Sequence, residues 1–490
     1  MVYLLNKTKY INLDTMDILF IDPSEEPSVG LMSIQAYLKK NGYSSKIIYE
    51  KSPGFIIQEI IDNKPLYVGF SCNTINYPHC LTLSKKIKSS TGIQIIFGGV
   101  HPSIDPSIID EASIDVVCIG EGELTMVELL ERVKKGSSII DIKGLWIKED
   151  GKIHRNGQRE LLENLDILPF WDRSDYYKKF PYKAREYSKN FSIGRGCNYN
   201  CSFCIHHLFR EKFCNDSNYF RQHSVDYVIE HILYVKEKWG LNAITFRDDT
   251  FGSNKEWLNE FAQKYKKYVK LPYVAGFSVK EVDVNTLRKL RQSGLVMLGV
   301  GLETSHERIR AGILNKHFTN NDYLRAVDTI RKNDILVWTF VLHGIITQKK
   351  EEIIEDILFL NKVKPFVLNN FFVIYFPFFH ITRLGIDKKE LVVASTKHQL
   401  YPGQLIKPLS NDFIGLCLAF HLCSRWPVLI PLVEKISAII PLESLDYVFI
   451  SYLVTKYLFL AKITYFWFKI DFIGYGRSLV LKSISRVFRV

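Results

Sequence analysis

From Asp17 to about Glu149 the chain alternates short apolar runs with amphipathic stretches, the pattern of a parallel sheet wrapped by helices. DILFID (17–22) predicts a buried strand, and SIQAYLKKNGY (33–43) a helix stopped at Gly42. Strands are expected again at KIIYE (46–50), YVGFS (67–71), IQIIFGG (93–99) and DVVCIGEGE (115–123), with helices through HCLTLSKKIKSS and LTMVELLERVKKG. Ligands on such sheets bind beyond the carboxyl ends of the strands, where Gly98, Gly99, Gly120 and Gly122 fall.

Residues from about 150 to 185, including LPFWD (168–172), are charged and aromatic without periodicity and read as a linker. From Phe191 onward strand and helix signals alternate again: FSIGRG, a helix from Ser224 to Trp239, AITFRDD, a helix after Asn254, and YVAGFS. LVMLGVGLE, a helix from near Asn320, LVWTFVLHG, a helix through Glu351 to Lys362, and NNFFVIYFP continue the series. Such βα repeats fit a complete or partial (β/α) barrel with its chemistry at the strand carboxyl ends. After about Ser395 apolar and aromatic segments interrupted by Lys, Arg and Pro predict helices. The expected division is 1–150 for the doubly wound domain, 151–185 for the linker, 186–395 for the barrel and 396–490 for a helical region.

Composition agrees with packed structure: of 490 residues 47% are hydrophobic and 13% aromatic, with 17 prolines, which excludes a mainly disordered chain. The net charge of +12 comes from Lys and Arg mixed with Asp and Glu and does not by itself select nucleic acid, membrane or phosphate. No apolar core with a small-residue cleavage site marks the N-terminus, so a cytoplasmic location is expected. Nine cysteines, three of them within eight residues, suit a metal site in a reducing compartment better than a disulfide framework.

Those three cysteines carry the strongest chemistry. GRGCNYNCSFC (194–204) holds a Cys-x3-Cys-x2-Cys triplet right after a strand. Three thiolates from one loop can hold three irons of a cubane and leave the fourth open to chelate the amino and carboxylate groups of S-adenosylmethionine. The triplet, with Phe203 just before its last cysteine, resembles the radical SAM superfamily, which implies Cys197, Cys201 and Cys204 as ligands of a [4Fe-4S] cluster. A zinc site completed by His206 or His207 is the rival reading, opposed by the Gly-Arg-Gly lead-in and the barrel context. Cys214 is read as an ordinary thiol.

Two further motifs extend the resemblance. FRDDTF (246–251) ends the second barrel strand where superfamily members contact the amino group of S-adenosylmethionine, implying Asp248 or Asp249. The rival reading is that both carboxylates brace the following loop. GVGLETSHERI (299–309) resembles the strand whose glutamate binds the cofactor ribose, implying Glu303; a carboxylate can accept from both vicinal hydroxyls.

In the first half, VGFSCNT (68–74), GGVHPSIDPS (98–107) and DVVCIGEGE (115–123) resemble the cobalamin-binding domain fused to many radical SAM enzymes. The resemblance implies Ser71, Thr74, Gly98, Gly99, His101, Gly120 and Glu121 as cofactor-binding, the glycines by allowing close backbone approach. The Asp-x-His-x-x-Gly loop of methionine-synthase-like domains is replaced by DPSEEPSVG (22–30), so that loop offers no histidine to cobalt. His101 is read as positioning a loop or corrin amide.

The resemblance covers about residues 15–380 and implies an α/β architecture: a Rossmann-like cobalamin domain, a partial TIM-like radical SAM barrel and a helical C-terminal region. The implied activity is reductive cleavage of S-adenosylmethionine to a 5'-deoxyadenosyl radical and C-methylation of an unactivated carbon in a small-molecule or lipid-like substrate. Oxidative cyclisation or ring rearrangement with the same cofactors is the near alternative, and a non-catalytic cobalamin or Fe-S sensor the alternative of another class. Methylthio transfer is disfavoured because Cys72, Cys80 and Cys118 form no second cluster motif. An electron donor such as flavodoxin or ferredoxin is implied; no nucleic-acid partner is.

Two apolar stretches, 413–433 and 448–468, approach the roughly 20 residues needed to cross a bilayer. His421, Arg425 and two prolines interrupt the first, and Lys456 and Lys462 the second, which disfavours spanning. From 413 to 490 nine Lys or Arg face four Asp or Glu, and aromatics cluster at Tyr465, Phe466, Trp467 and Phe468. A cap packed on the barrel is expected, with peripheral contact at the inner membrane face as the second reading.

Overall fold

The computed structural model describes residues 15–214, 219–394 and 403–439, together with Leu442, Ile450 and Ser451. The stretch 448–468, apart from Ile450 and Ser451, and the aromatic cluster 465–468 lie outside the described residues.

The first half is one seven-stranded sheet. Its strands are β1 (Ile18–Ile21), β2 (Ser45–Ile48), β3 (Tyr67–Ser71), β4 (Gln94–Gly98), β5 (Val116–Cys118), β6 (Leu145–Glu149) and β7 (Lys152–Arg155), in the order β2-β1-β3-β4-β5-β6-β7. The first five are parallel and the last two antiparallel. β1 is buried throughout because it faces a core on each side: Ile18 and Phe20 join one apolar cluster, Leu19 and Ile21 the other. Burial on both faces is why its sequence runs apolar instead of alternating. Strand order reverses between β1 and β3, which opens a crevice at their carboxyl ends.

The second half is a six-stranded, wholly parallel sheet in the order β15-β14-β13-β12-β11-β8, the expected partial barrel. Its strands are β8 (Ser188–Phe191), β11 (Ala243–Phe246), β12 (Tyr273–Phe277), β13 (Leu295–Glu303), β14 (Leu336–His343) and β15 (Val367–Phe372). Leu298, Val300 and Leu302 pack outward with the helices, whereas Met297 packs inward with Ala243, Val274 and Trp338. The strand expected over 191–196 is divided. Gly194 and Arg195 (β9) leave the barrel to pair antiparallel with Arg221 and Gln222 (β10). That segment approaches so closely that a Cβ on Gly194 or Gly196 would collide with the carbonyl oxygens of Arg221 and Tyr219.

The segment read as an irregular linker is packed. β7 completes the first sheet, and Trp171, Tyr176 and Tyr177 join its core. Asp175 accepts from Gln35 Nε2 at 2.7 Å and Ile47 N at 2.9 Å, while Arg173 donates to the Asn190 carbonyl of the barrel at 2.7 Å. These tertiary partners explain the lack of any period. Beyond 403, the helices Asn411–Leu418, Phe420–Arg425 and Ile430–Ser437 extend the outer layer beside Lys350–Val363, burying Phe413, Leu416 and Phe420. No helix among the described residues is long and apolar enough to cross a membrane.

Candidate functional site

The cysteine loop follows β9. Cys197 is buried and Cys201 and Cys204 half-buried; Cys204 N donates to Cys201 O at 3.1 Å and stands at the start of the helix Ile205–Phe213. Burial pushes the thiols of Cys197 and Cys204 up to about 11 and about 12, so loading a metal requires their deprotonation. Among the described residues no three His, Cys, Asp or Glu side chains converge to hold one ion. Three thiolates serving three corners of a cubane need not converge on one atom.

Both candidate zinc histidines are otherwise engaged. His206 bonds Tyr219 Oη at 2.7 Å through Nδ1 and Asp249 Oδ2 at 2.6 Å through Nε2. His207 bonds the Cys201 carbonyl at 3.1 Å through Nδ1 and accepts from His380 N at 3.2 Å through Nε2. Cys214 caps the far end of Ile205–Phe213, about 15 Å along the helix axis from Cys204. Phe203 packs in an apolar cluster with Leu208, Ile309 and Tyr375.

The adjacent carboxylates after β11 divide sharply. Asp248 accepts from Ser192 Oγ at 2.6 Å, Ile193 N at 2.8 Å and Gly194 N at 3.1 Å, bracing the approach to the cysteine loop. Burial still pushes it up to about 7. Asp249 shares a hydrogen bond with His206 but is exposed and borders a cavity, so of the two its carboxylate is the one open to a ligand. Glu303 ends β13 at a register shift with φ +65°, and its Oε1 lies 2.7 Å from the buried Lys316 ammonium.

That cavity, about 540 Å³, lies between the carboxyl ends of the first sheet and the cysteine loop. Phe20, Ser71, Gly98, Gly99 and Gly120 line it from one side, and His206, Phe209, Phe213 and Tyr219 from the other. Its volume falls within the roughly 300–1,000 Å³ of small-molecule sites. A Cβ on Gly99 (φ +99°) would approach Cys72 O at 2.8 Å and Cys72 N at 2.9 Å. The glycine cradle beyond the carboxyl ends of β4 and β5 therefore fits a bulky ligand approaching the backbone.

Two expected cofactor contacts, Thr74 and His101, do not line this cavity, and a third, Glu121, is occupied. Thr74 Oγ1 and His101 Nδ1 bond each other at 3.2 Å, and the His101 ring lies against Tyr77, so both side chains turn away from the cavity lining. Val100 borders the cavity instead. Glu121 lines it, but its carboxylate is engaged by Arg195 at 3.0 Å, Arg221 at 3.0 Å and Leu162 N at 2.9 Å. Burial would raise the Glu121 carboxyl; the two guanidiniums hold it below its ordinary value. Beside it Glu123 accepts from Arg195 at 2.5 Å and Ser33 Oγ at 2.6 Å. Sequence reasoning missed this network, Lys316 and the His206–Tyr219 pair. Only Arg195, inside the Gly-Arg-Gly lead-in, and His206, beside the cysteines, carried any signal.

Comparison with known proteins follows the same division. Residues 22–130 match the B12 binding domain model, and residues 191–360 the radical SAM superfamily model. The chain is 28% identical over 305 residues to an uncharacterized methyltransferase of Pyrococcus horikoshii, covering 61% of this chain and 64% of the relative. It is 21% identical over 328 residues to the anaerobic magnesium-protoporphyrin IX monomethyl ester cyclase of Synechocystis, covering 64% of each. The matches thus span a little under two thirds of these relatives' length. The fold is shared with the radical S-adenosylmethionine methyltransferase TsrM of Kitasatospora setae, solved with cobalamin and a [4Fe-4S] cluster, at TM-score 0.64 and 14% identity over 78% of this chain and 76% of that one. Residues 22–130 thus carry a B12 binding domain and residues 191–360 a radical SAM superfamily domain, with residues of both lining one cavity.

Proposed function

We propose that the chain methylates an unactivated carbon of a small-molecule substrate, using a [4Fe-4S] cluster, S-adenosylmethionine and cobalamin. The carrying observation is that one cavity is lined by the glycine cradle on one side and, on the other, by Gly196 and His206, which flank the cysteine loop. Cys197, Cys201 and Cys204 would hold the cluster, Glu303 would meet the adenosyl ribose, and Asp249 the amino group. Ser71, Gly98, Gly99 and Gly120 would seat the corrin and its tail. When bound, the cluster and S-adenosylmethionine supply a 5'-deoxyadenosyl radical and the corrin carries a methyl group. The chain's part is to hold these groups and the substrate carbon in line, with Phe209, Phe213 and Tyr219 excluding water from the space between.

The proposed domain plan is 1–150, 151–185, 186–395 and 396–490, with 151–185 packed on the first sheet instead of forming a free linker, and flavodoxin or ferredoxin as electron donor. Peripheral contact with an anionic membrane is supported by exposed Trp426, Val428, Leu432, Ile436 and Ile439 on the C-terminal helices. The test is an anaerobic preparation loaded with cluster and corrinoid, incubated with cell extract and S-adenosylmethionine labelled in its methyl group. Labelled product together with 5'-deoxyadenosine is expected. Deoxyadenosine with a converted but unlabelled product would replace methylation by cyclisation or rearrangement. No deoxyadenosine under strong reductant would leave a sensor.

A further inference from the structure

Lys316 joins the cysteine loop to Glu303. The strip 313–316 is stitched to the residues flanking Cys201: Ser202 N donates to Leu314 O at 3.1 Å, Ser202 Oγ to Ile313 O at 2.5 Å, and Asn315 Nδ2 to Asn200 O at 2.7 Å. From this strip Lys316 reaches Glu303 Oε1 at 2.7 Å and the Gly301 carbonyl at 3.3 Å. Both side chains are largely buried, at 18% and 9% exposure, so the ion pair is shielded from solvent. A Cβ on Gly301 would collide with the Glu303 carboxylate and approach the ammonium at 2.8 Å. The glycine leaves the space in which the pair sits.

We propose that Lys316 is a positioning residue that fixes the Glu303 carboxylate relative to the cluster loop and places one buried positive charge beside Cys201. The proposal rests on the reading that the three cysteines hold the cluster and that Glu303 meets the adenosyl ribose. A trithiolate-held cluster beside a carboxylate is a concentration of negative charge. A fixed cation there stabilises the reduced, more negative state and raises the reduction potential. It also restricts the carboxylate to one geometry, so a ribose would meet an acceptor already in place.

The test compares wild type, K316M, K316R, E303Q and the double variant K316M/E303Q after anaerobic cluster reconstitution. The readouts are the midpoint potential, from an EPR-monitored redox titration, and the dissociation constant of S-adenosylmethionine, from its perturbation of the reduced-cluster EPR signal. K316M is expected to shift the potential to more negative values and to weaken S-adenosylmethionine binding about tenfold, roughly 1.4 kcal/mol. K316R should restore the potential, E303Q should shift it to more positive values, and the double variant should return near wild type. A role limited to packing would leave the potential unmoved. If K316M does not fold, the double variant compared with E303Q still reads the Lys316 charge; equal potentials there, or a wild-type potential in K316M, would overturn the proposal. A reconstituted wild type whose EPR signal ignores S-adenosylmethionine would instead remove the reading beneath it.

Discussion

Arg195 donates to Glu123 at 2.5 Å across the boundary between the two sheets, joining the residue next to the cysteine loop to the helix that follows β5. The same guanidinium reaches Glu121 at 3.0 Å, and Arg221 joins from the paired strand β10. The cavity lies against this network, so the contacts that bind the two halves together also set the distance between their sites.

Removing Arg195 should therefore act on both stability and cofactor retention. Arg195→Ala leaves the buried Glu123 without its main partner, a loss of about 3 to 5 kcal/mol for a broken buried pair. A melting temperature lowered by roughly 5 to 10 °C is expected in differential scanning calorimetry. Reduced corrinoid content after gel filtration should accompany it.

Cluster content is checked by iron analysis after anaerobic reconstitution. Cys197→Ala, Cys201→Ala and Cys204→Ala should each lose most of the iron and the visible thiolate-to-iron absorption. Cys214→Ala should retain both, because it stands at the opposite end of the helix.

Gly99→Ala should abolish corrinoid binding while the cluster remains. The alanine would need a left-handed backbone at φ +99° with its Cβ pressed on the Cys72 backbone. The turn must then move out of the cavity wall. Equilibrium binding of hydroxocobalamin, followed by absorbance, reads the loss directly.

His343, fully buried on β14 near Phe420 of the C-terminal helices, gives a pH prediction. Burial pushes its imidazole down to about 3. Because the folded value lies below the unfolded one, the unfolded chain binds the extra proton, and stability is present above about pH 6.5 and lost as pH falls towards 3. Between pH 7 and pH 5 this group alone should remove about 2 kcal/mol. Denaturant unfolding should show a flatter acid limb in His343→Gln than in wild type. Equal slopes would remove His343 as the source.

The exposed apolar face of the C-terminal helices predicts membrane binding that depends on anionic lipid. Val428 and Ile439 are 82% and 84% exposed. The double variant V428D/I439D should sediment less with phosphatidylglycerol vesicles than wild type, and neither should sediment with phosphatidylcholine alone. An unchanged bound fraction would exclude this face as the contact.

Legibility from sequence followed the range of the forces involved. β3 runs over 67–71 as read, because a strand buried on both faces must be apolar along its whole length. The cysteine spacing was legible because one loop carries all three thiols. By contrast, Asp248 and Asp249 are neighbours with identical side chains, and only their partners separate them: one is enclosed by Ser192, Ile193 and Gly194, the other opens on the cavity. Thr74 and His101 carried no sequence signal for the hydrogen bond they share, which only the fold brings about. Residues 151–185 lack a period because their order comes from side chains on both sheets.

By itself the sequence determined the two sheets, their order along the chain and the three thiols, since hydrophobic period and ligand spacing are local properties of the chain. Tertiary structure alone decided which carboxylate borders the cavity, that Glu121 braces the contact between the two halves, and that Lys316 stands over Glu303. The physical reason is that a buried charge takes its role from the partner that neutralises it. Glu121 and Arg221 meet although 100 residues separate them, a pairing that no local pattern encodes.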